Sequence, residues 1–230
     1  MNPWHDIDKG RVTPENFIAV VEIPKGSKKK YELDKATGLI KLDRILFTAT
    51  HYPSNYGFIP RTYADDKDPL DVLVLCSEIL DPLTMVECYP IGVVKMVDNN
   101  EVDEKIIAVP FRDPVYSGYR DISTLPQHIV QEISHFFEVY KELEHSETSV
   151  KMTMDREKAI AIIQSCIAAY EEAFKPVVPA ANDTAESAPD PGHAGGSSGV
   201  TSAGQVAGST TPDRALAGEP ETTTAKIPKA

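Results

Sequence analysis

Short runs with strand-like patterning fill the first half of the chain, and helical spacing arrives only late. "FIAVVEIP" (17–24) is rich in β-branched residues and stops at a proline. "KKYELD" and "LIKLDRI" flank "KATG", whose Thr37-Gly38 reads as a hairpin turn. "DVLVLC" (71–76), "MVECYPIGVVKMVD" (85–98) and "KIIAVPF" (105–111) continue the strand pattern. In "LPQHIVQEISHFFEVYKELE" (125–144), Ile129, Ile133, Phe136, Phe137 and Tyr140 recur at helical spacing, with Pro126 near the start. "DREKAIAIIQSCIAAYEEAF" (155–174) opens on Asp155 as an N-cap and keeps an apolar stripe through Tyr170. Many short strands followed by two packing helices predict a mainly β, α+β domain: a small barrel with helices on its flank.

The pattern breaks at Pro176. From there to Ala230 there is no aromatic residue, and the text is Ala, Gly, Ser, Thr and Pro. Such a segment has too little apolar surface to offset its ordering entropy, so residues 1–175 are expected to form the folded unit and 176–230 a disordered, low-complexity tail.

Charge narrows the function. The 230 residues carry 23 Lys plus Arg against 35 Asp plus Glu, a formal net charge of -12. That sign disfavours nucleic acid and anionic membranes, which select basic surfaces. No apolar run approaches the ~18 residues of a membrane span, and "MNPWHDIDKG" has neither the basic nor the apolar region of a secretory signal. Three widely spaced cysteines, Cys76, Cys88 and Cys166, fit reduced thiols better than a disulfide frame or a zinc site. The expected address is the cytoplasm.

The chemistry gathers in "ADDKDPLDVLV" (64–74), where Asp65, Asp66, Asp68 and Asp71 crowd eight positions. On an extended segment Asp66 and Asp68 share a side, with Lys67 on the other, and Pro69 marks a turn that brings Asp71 round to them. Hard divalent cations take oxygen ligands of this kind. A polar surface loop is the plain alternative. A calcium loop fits poorly, because the positions that should carry an acid and a glycine hold Leu70 and Asp71, and the expected closing Glu is Ser77. A second acidic group, "KMVDNNEVDEK", sets Asp98 and Asp103 around Glu101 and a turn at Asn99-Asn100, and closes on Lys105. Glu22 and Glu32 are charges inside strand-like text, where structure alone prefers Val or Thr. Lys30 precedes Glu32 by two, on the same strand face, and Arg44 follows the strand of "LIKLD". Tyr52 and Tyr56 are separated by Pro53 and Asn55, and Tyr140-Lys141 ends the first helix. Core packing accounts for either tyrosine, and a helix dipole for the lysine. Together, carboxylates holding several Mg²⁺ ions would invert the local field and attract phosphate, and Lys, Arg and Tyr would grip its oxygens. The reaction class this points to is metal-assisted phosphoryl transfer to water.

"VVEIPKGSKKKYELD", "LDRILFTATHYPSNYGFIP", "DKDPLDVLV", "GVVKMVDNNEVDEKIIAVP" and "HFFEVYKELE" follow one another in the order of a known family. Over residues 15–175 the chain resembles the soluble inorganic pyrophosphatases of family I, bacterial type. The resemblance implies an OB-like five-stranded β-barrel with two flanking C-terminal helices, and hydrolysis of pyrophosphate to two phosphates with several Mg²⁺ ions. It also implies a homo-oligomer, a hexamer in this family. By resemblance Asp66, Asp71 and Asp103 are the principal metal ligands, Asp98 holds a further ion, and Glu22 and Glu32 are outer ligands. Asp68 resembles the general base. Lys30, Arg44, Tyr56, Lys105, Tyr140 and Lys141 resemble the phosphate-binding set, with Tyr52 as another active-site tyrosine. One departure stands out: between the first two aspartates the family usually carries Gly, Ser, Asn or Asp, and this chain has Lys67. Two other readings stay open on the residues, an oligonucleotide-binding OB module and a metal-dependent phosphatase for larger esters.

Overall fold

The computed structural model describes residues 2–99, 101–144, 146 and 148–175. The expected tail, 176–230, lies outside the described residues, as does Asn100 of the expected turn.

Five strands close into a ring. They are β1 (Phe17–Ile23), β4 (Asn55–Phe58), β5 (Asp71–Val74), β6 (Met85–Asp98) and β7 (Glu101–Pro110), joined in the order β1-β4-β5-β7-β6, with β6 returning to β1. All pairs are antiparallel except β5–β7. Between them, β2 (Lys29–Leu33) and β3 (Ile40–Ile45) form a separate two-stranded hairpin. Its turn is closed by the Gly38 amide donating to the Asp34 carbonyl at 2.8 Å, with Gly38 at φ 73°.

β6 is long because it serves three partners. Met85–Cys88 pairs with β1, Cys88–Asp98 pairs with β7, and Val93–Asp98 also pairs with β8 (Thr148–Met154). The register of β6 shifts between Pro90 and Gly92, where a proline without an N–H suits a bulge. Helices α1 (Gln127–Val139) and α2 (Arg156–Ala173) follow. Asp155 caps α2, its carboxylate accepting from the Lys158 amide at 3.0 Å.

Two apolar cores result. One joins Trp4, Ile7, Phe17, Val72 and Ile106 to Ala159, Ile163 and Tyr170 of α2. The other joins Leu73, Ile91, Ile107 and Val109 to Ile133, Phe136 and Phe137 of α1. Consecutive β5 residues Val72, Leu73 and Val74 are all buried, so that strand reads as a continuous apolar run rather than as an alternation. Each such side chain contributes roughly 1.5–3 kcal/mol of burial free energy.

The expected elements differ from the observed ones in four places. β4, "NYGF", is too short and too glycine-marked to read as a strand. β8, "TSVKMTM", is half polar because it is an edge strand hydrogen-bonded only to β6. β7 starts at Glu101 rather than Lys105, since polar residues at the sheet's end still pair with β6. The first helix is also shorter than expected, ending at Val139 before a 3₁₀ turn at Glu142–Glu144.

Candidate active site

A cavity of about 240 Å³ opens between the β2–β3 hairpin, the residues leading into β5, the β6–β7 end and the end of α1. Seven carboxylates line it (Glu22, Glu32, Asp66, Asp68, Asp71, Asp98 and Asp103) against four ammoniums, those of Lys30, Lys35, Lys105 and Lys141. Tyr52, Tyr56 and Tyr140 complete the polar wall. All the expected site residues but one therefore meet around a single space. Arg44 is the exception. It stands opposite Lys30 in the hairpin, outside this wall, with a guanidinium nitrogen 2.8 Å from Glu144 Oε2 and a further ion pair to Asp43.

The acidic segment is a tight turn, not the extended run expected from sequence. The Lys67 amide donates to the Ala64 carbonyl at 3.0 Å, the Ala64 amide to the Asp68 carbonyl at 2.8 Å, and the Asp68 amide to Asp66 Oδ1 at 3.0 Å. Lys67 takes φ 68°, the left-handed conformation that a turn of this shape demands. Its exposed side chain leaves the cavity because of the turn, and not because of strand alternation. Below the turn, Thr62 Oγ1 accepts from the Leu70 amide at 2.8 Å and anchors the entry to β5.

Parallel pairing of β5 with β7 sets Val72 opposite Ile106, and so brings the residues just before them together. Lys105 Nζ lies 2.7 Å from Asp71 Oδ2, 2.8 Å from Asp103 Oδ2 and 3.0 Å from the Tyr56 hydroxyl. Burial works against this ammonium's charge, but Asp103 and Asp71 overcome it and raise its pKa well above the ordinary lysine value. The Tyr56 hydroxyl in turn donates to Asp71. Tyr56, Tyr52 and Tyr140 keep their rings in the α1 core, where burial raises all three phenols and keeps them as neutral donors.

Glu22 is buried, with Oε1 accepting from the Leu33 amide at 2.7 Å. Burial, then the charge of Asp71, push its pKa up to about 8. Asp66 is also raised, by partial desolvation first and then by Asp71, Asp68 and Asp103, against the opposing Asp68 amide. Lys30 pairs with Glu32 and lies 3.6 Å from Asp43. Lys141 pairs with Asp98, whose other oxygen, Oδ1, is buried without a partner among the described residues. Lys35 pairs with Asp68. Sequence reasoning passed over Lys35, which sits in the hairpin turn "DKATG" where a lysine carries no chemical signal of its own.

A cluster of this kind, carboxylates in excess with most of them paired to an ammonium or phenol, suits cations and phosphate together. The inorganic pyrophosphatase family model matches residues 19–171. The chain belongs to the inorganic pyrophosphatase family. Soluble inorganic pyrophosphatase 2 of Chlamydomonas reinhardtii is 47% identical over 175 residues, covering 76% of this chain and 91% of the relative. Soluble inorganic pyrophosphatase 1 of Arabidopsis thaliana is 49% identical over 171 residues, covering 74% and 81%. The crystal structure of inorganic pyrophosphatase from Thermus thermophilus superposes with a TM-score of 0.70 at 41% identity, over 74% of this chain and 99% of that one. The activity is hydrolysis of inorganic pyrophosphate to phosphate, and the closed five-strand ring with two late helices is the OB-like fold of these pyrophosphatases. Among the described residues no helix is long and apolar enough to cross a membrane.

Proposed function

We propose that this pyrophosphatase works with Mg²⁺ and that Asp68 is its general base. The observation that supports metal use is the wall itself. Seven carboxylates face four ammoniums, and one buried oxygen of Asp98 has no partner among the described residues, a donor set short of positive charge. Among the described residues the carboxylates do not close on one another as a ready cage, because Lys105 stands between Asp71 and Asp103. Asp66, Asp71 and Asp103 would hold the principal ions, with Asp98 on a further one and Glu22 and Glu32 as outer ligands. Bound Mg²⁺ supplies positive charge that screens the acids from the substrate and lowers the pKa of water toward neutrality.

The remaining work falls to the chain. Lys30, Lys105, Lys141, Tyr56 and Tyr140 hold the phosphate oxygens, and their charge and O–H dipoles offset negative charge that builds on the leaving phosphate. Arg44 joins this set once its guanidinium exchanges Glu144 for phosphate, which it binds in a two-pronged fashion. Asp68 accepts the proton of the attacking water, and it serves only if it is not itself a metal ligand. Tyr52 packs against Tyr56, with ring centroids 5.3 Å apart, and fixes that hydroxyl's direction.

The catalytic unit in this reading is residues 1–175, acting in the cytoplasm as a homo-oligomer. The three free cysteines suit a reducing compartment. Phosphate release from pyrophosphate tests the scheme. Chelator should abolish it and Mg²⁺ restore it, and full turnover in chelator would sink the metal reading. Asp68→Asn should lower kcat by ~10²–10⁴ while calorimetric Mg²⁺ binding persists. Truncation after Lys175 should leave kcat within about twofold.

A further inference from the structure

The geometry points to Lys35 as a positioning residue for Asp68: an ammonium carried on the hairpin turn that aims the carboxylate across the mouth of the cavity. This rests on Asp68 being the proton acceptor.

Several contacts fix Lys35 where it can do this. Its turn is rigid, with the Asp34 carboxylate accepting from both the Thr37 amide and the Thr37 hydroxyl at 2.8 Å. Its carbonyl accepts from the Asn2 side-chain amide at 2.8 Å. Its ammonium lies 6.0 Å from the ring centroid of Trp4, at the outer range of a cation–π contact. Trp4 is itself buried and pinned by its indole N–H donating to the Thr62 carbonyl at 2.9 Å. Thr62 is also the residue that anchors the entry to β5. The N-terminal segment, the hairpin turn and the acidic turn thus form one braced unit, and Lys35 is its link to the site.

The link has a chemical consequence. Lys35 engages Oδ1 of Asp68 and leaves Oδ2 to take a proton. An ammonium at this point keeps the carboxylate from swinging inward to join Asp66, Asp71 and Asp103. A base drawn into that set is lost as a base. The pair is half exposed on both sides, so its value lies in direction rather than in stability.

The test is a double-mutant cycle on kcat, with pyrophosphate KM and substrate-free Mg²⁺ binding read alongside. Lys35→Met should lower kcat on the order of tenfold, the scale of a misaimed reacting group, with KM and Mg²⁺ affinity within about threefold. Lys35→Arg should restore most of the loss. In the Asp68→Asn background, Lys35→Met should change kcat by less than about twofold, since the group it aims is gone. An equal loss in both backgrounds overturns the proposal, as does a raised KM with kcat intact, which would make Lys35 a phosphate ligand. If Asp68→Asn alone leaves kcat unchanged, the general-base reading fails instead, and the cycle shows which of the two has failed. Should Lys35→Met not fold, Asn2→Ala removes only a clamp on the turn. A weaker loss of kcat that vanishes with Asp68→Asn supports the proposal, and an unchanged kcat overturns it.

Discussion

Lys105 and Asp71 meet beside the parallel seam of β5 and β7, ammonium to carboxylate at 2.7 Å, with the lysine almost wholly withdrawn from water. Asp103 shares the same ammonium. One buried cation thus holds two proposed metal ligands apart and neutralises part of their repulsion.

Lys105→Met should therefore destabilise the protein in chelator, by at most ~3–5 kcal/mol, because both carboxylates lose their partner while staying partly buried. That corresponds to a fall in Tm of about 6–20 °C. Mg²⁺ should recover much of it by taking the place of the missing charge. Melting curves with and without the ion check this, and equal losses in both conditions refute it.

Glu22 gives a pH dependence whose sign follows from its burial. Its pKa rises from an ordinary 4.5 to about 8 in the folded chain. Between those values the native state keeps a proton that the unfolded state has released. The contribution is complete below about 4.5 and is lost progressively as pH rises to about 8. In chelator, Glu22→Gln should flatten that decline and melt higher than the wild type near pH 8. Added Mg²⁺ should flatten the wild-type curve too, because a nearby cation favours the anion. A wild-type melting temperature that climbs from pH 5 to 8 in chelator would contradict the assignment.

Gly57 marks where backbone approach, rather than chemistry, protects the site. A Cβ there would meet the Val20 carbonyl oxygen at 1.9 Å, and the two strands that would have to part are β1 and β4. Gly57→Ala should cost on the order of 4 kcal/mol, among the larger single-residue losses. Activity should fall with it, since Tyr56 is the adjacent residue. A near-native melting temperature for this variant would mean that β4 shifts easily.

Much of this architecture was legible because it follows from local pattern. The β-branched run of β1, the turn at Gly38, the Asp155 cap and the apolar stripe of α1 each carry their own signal. β4 and β8 were not legible, for opposite reasons. Four residues with a central glycine leave no period to read in β4, and an edge strand has little buried face to display in β8. At the site, residue type and order picked out the carboxylates that line the cavity, and the family resemblance supplied their expected roles. Partnership was not readable. That Lys105 faces Asp71 depends on parallel pairing between strands about thirty residues apart, and that Lys35 reaches Asp68 depends on how a hairpin leans. Arg44 shows the converse: its type marked it, yet the fold turns it toward Glu144.

Lys67 is the residue whose reading changed most between sequence and structure. Alternation predicts a lysine turned away from two aspartates on an extended segment. The observed turn also directs it outward, but through a left-handed backbone at φ 68°. For a residue with a β-carbon that conformation costs about 1–2 kcal/mol. Glycine removes the steric cost and returns part of the gain through its freer unfolded chain, about 0.5–1 kcal/mol. Lys67→Gly should thus raise Tm by roughly 1–3 °C, whereas Lys67→Ala, which keeps the β-carbon, should not. Both variants remove an exposed positive charge near the carboxylates. Both should therefore tighten Mg²⁺ binding equally and by at most about threefold at low ionic strength, an effect that salt screens. The comparison separates backbone from charge in one experiment. With kcat expected to stay within about twofold in each, a rise of orders of magnitude in both variants would show the lysine competing for a metal position, and a rise in Lys67→Gly alone would trace to the backbone.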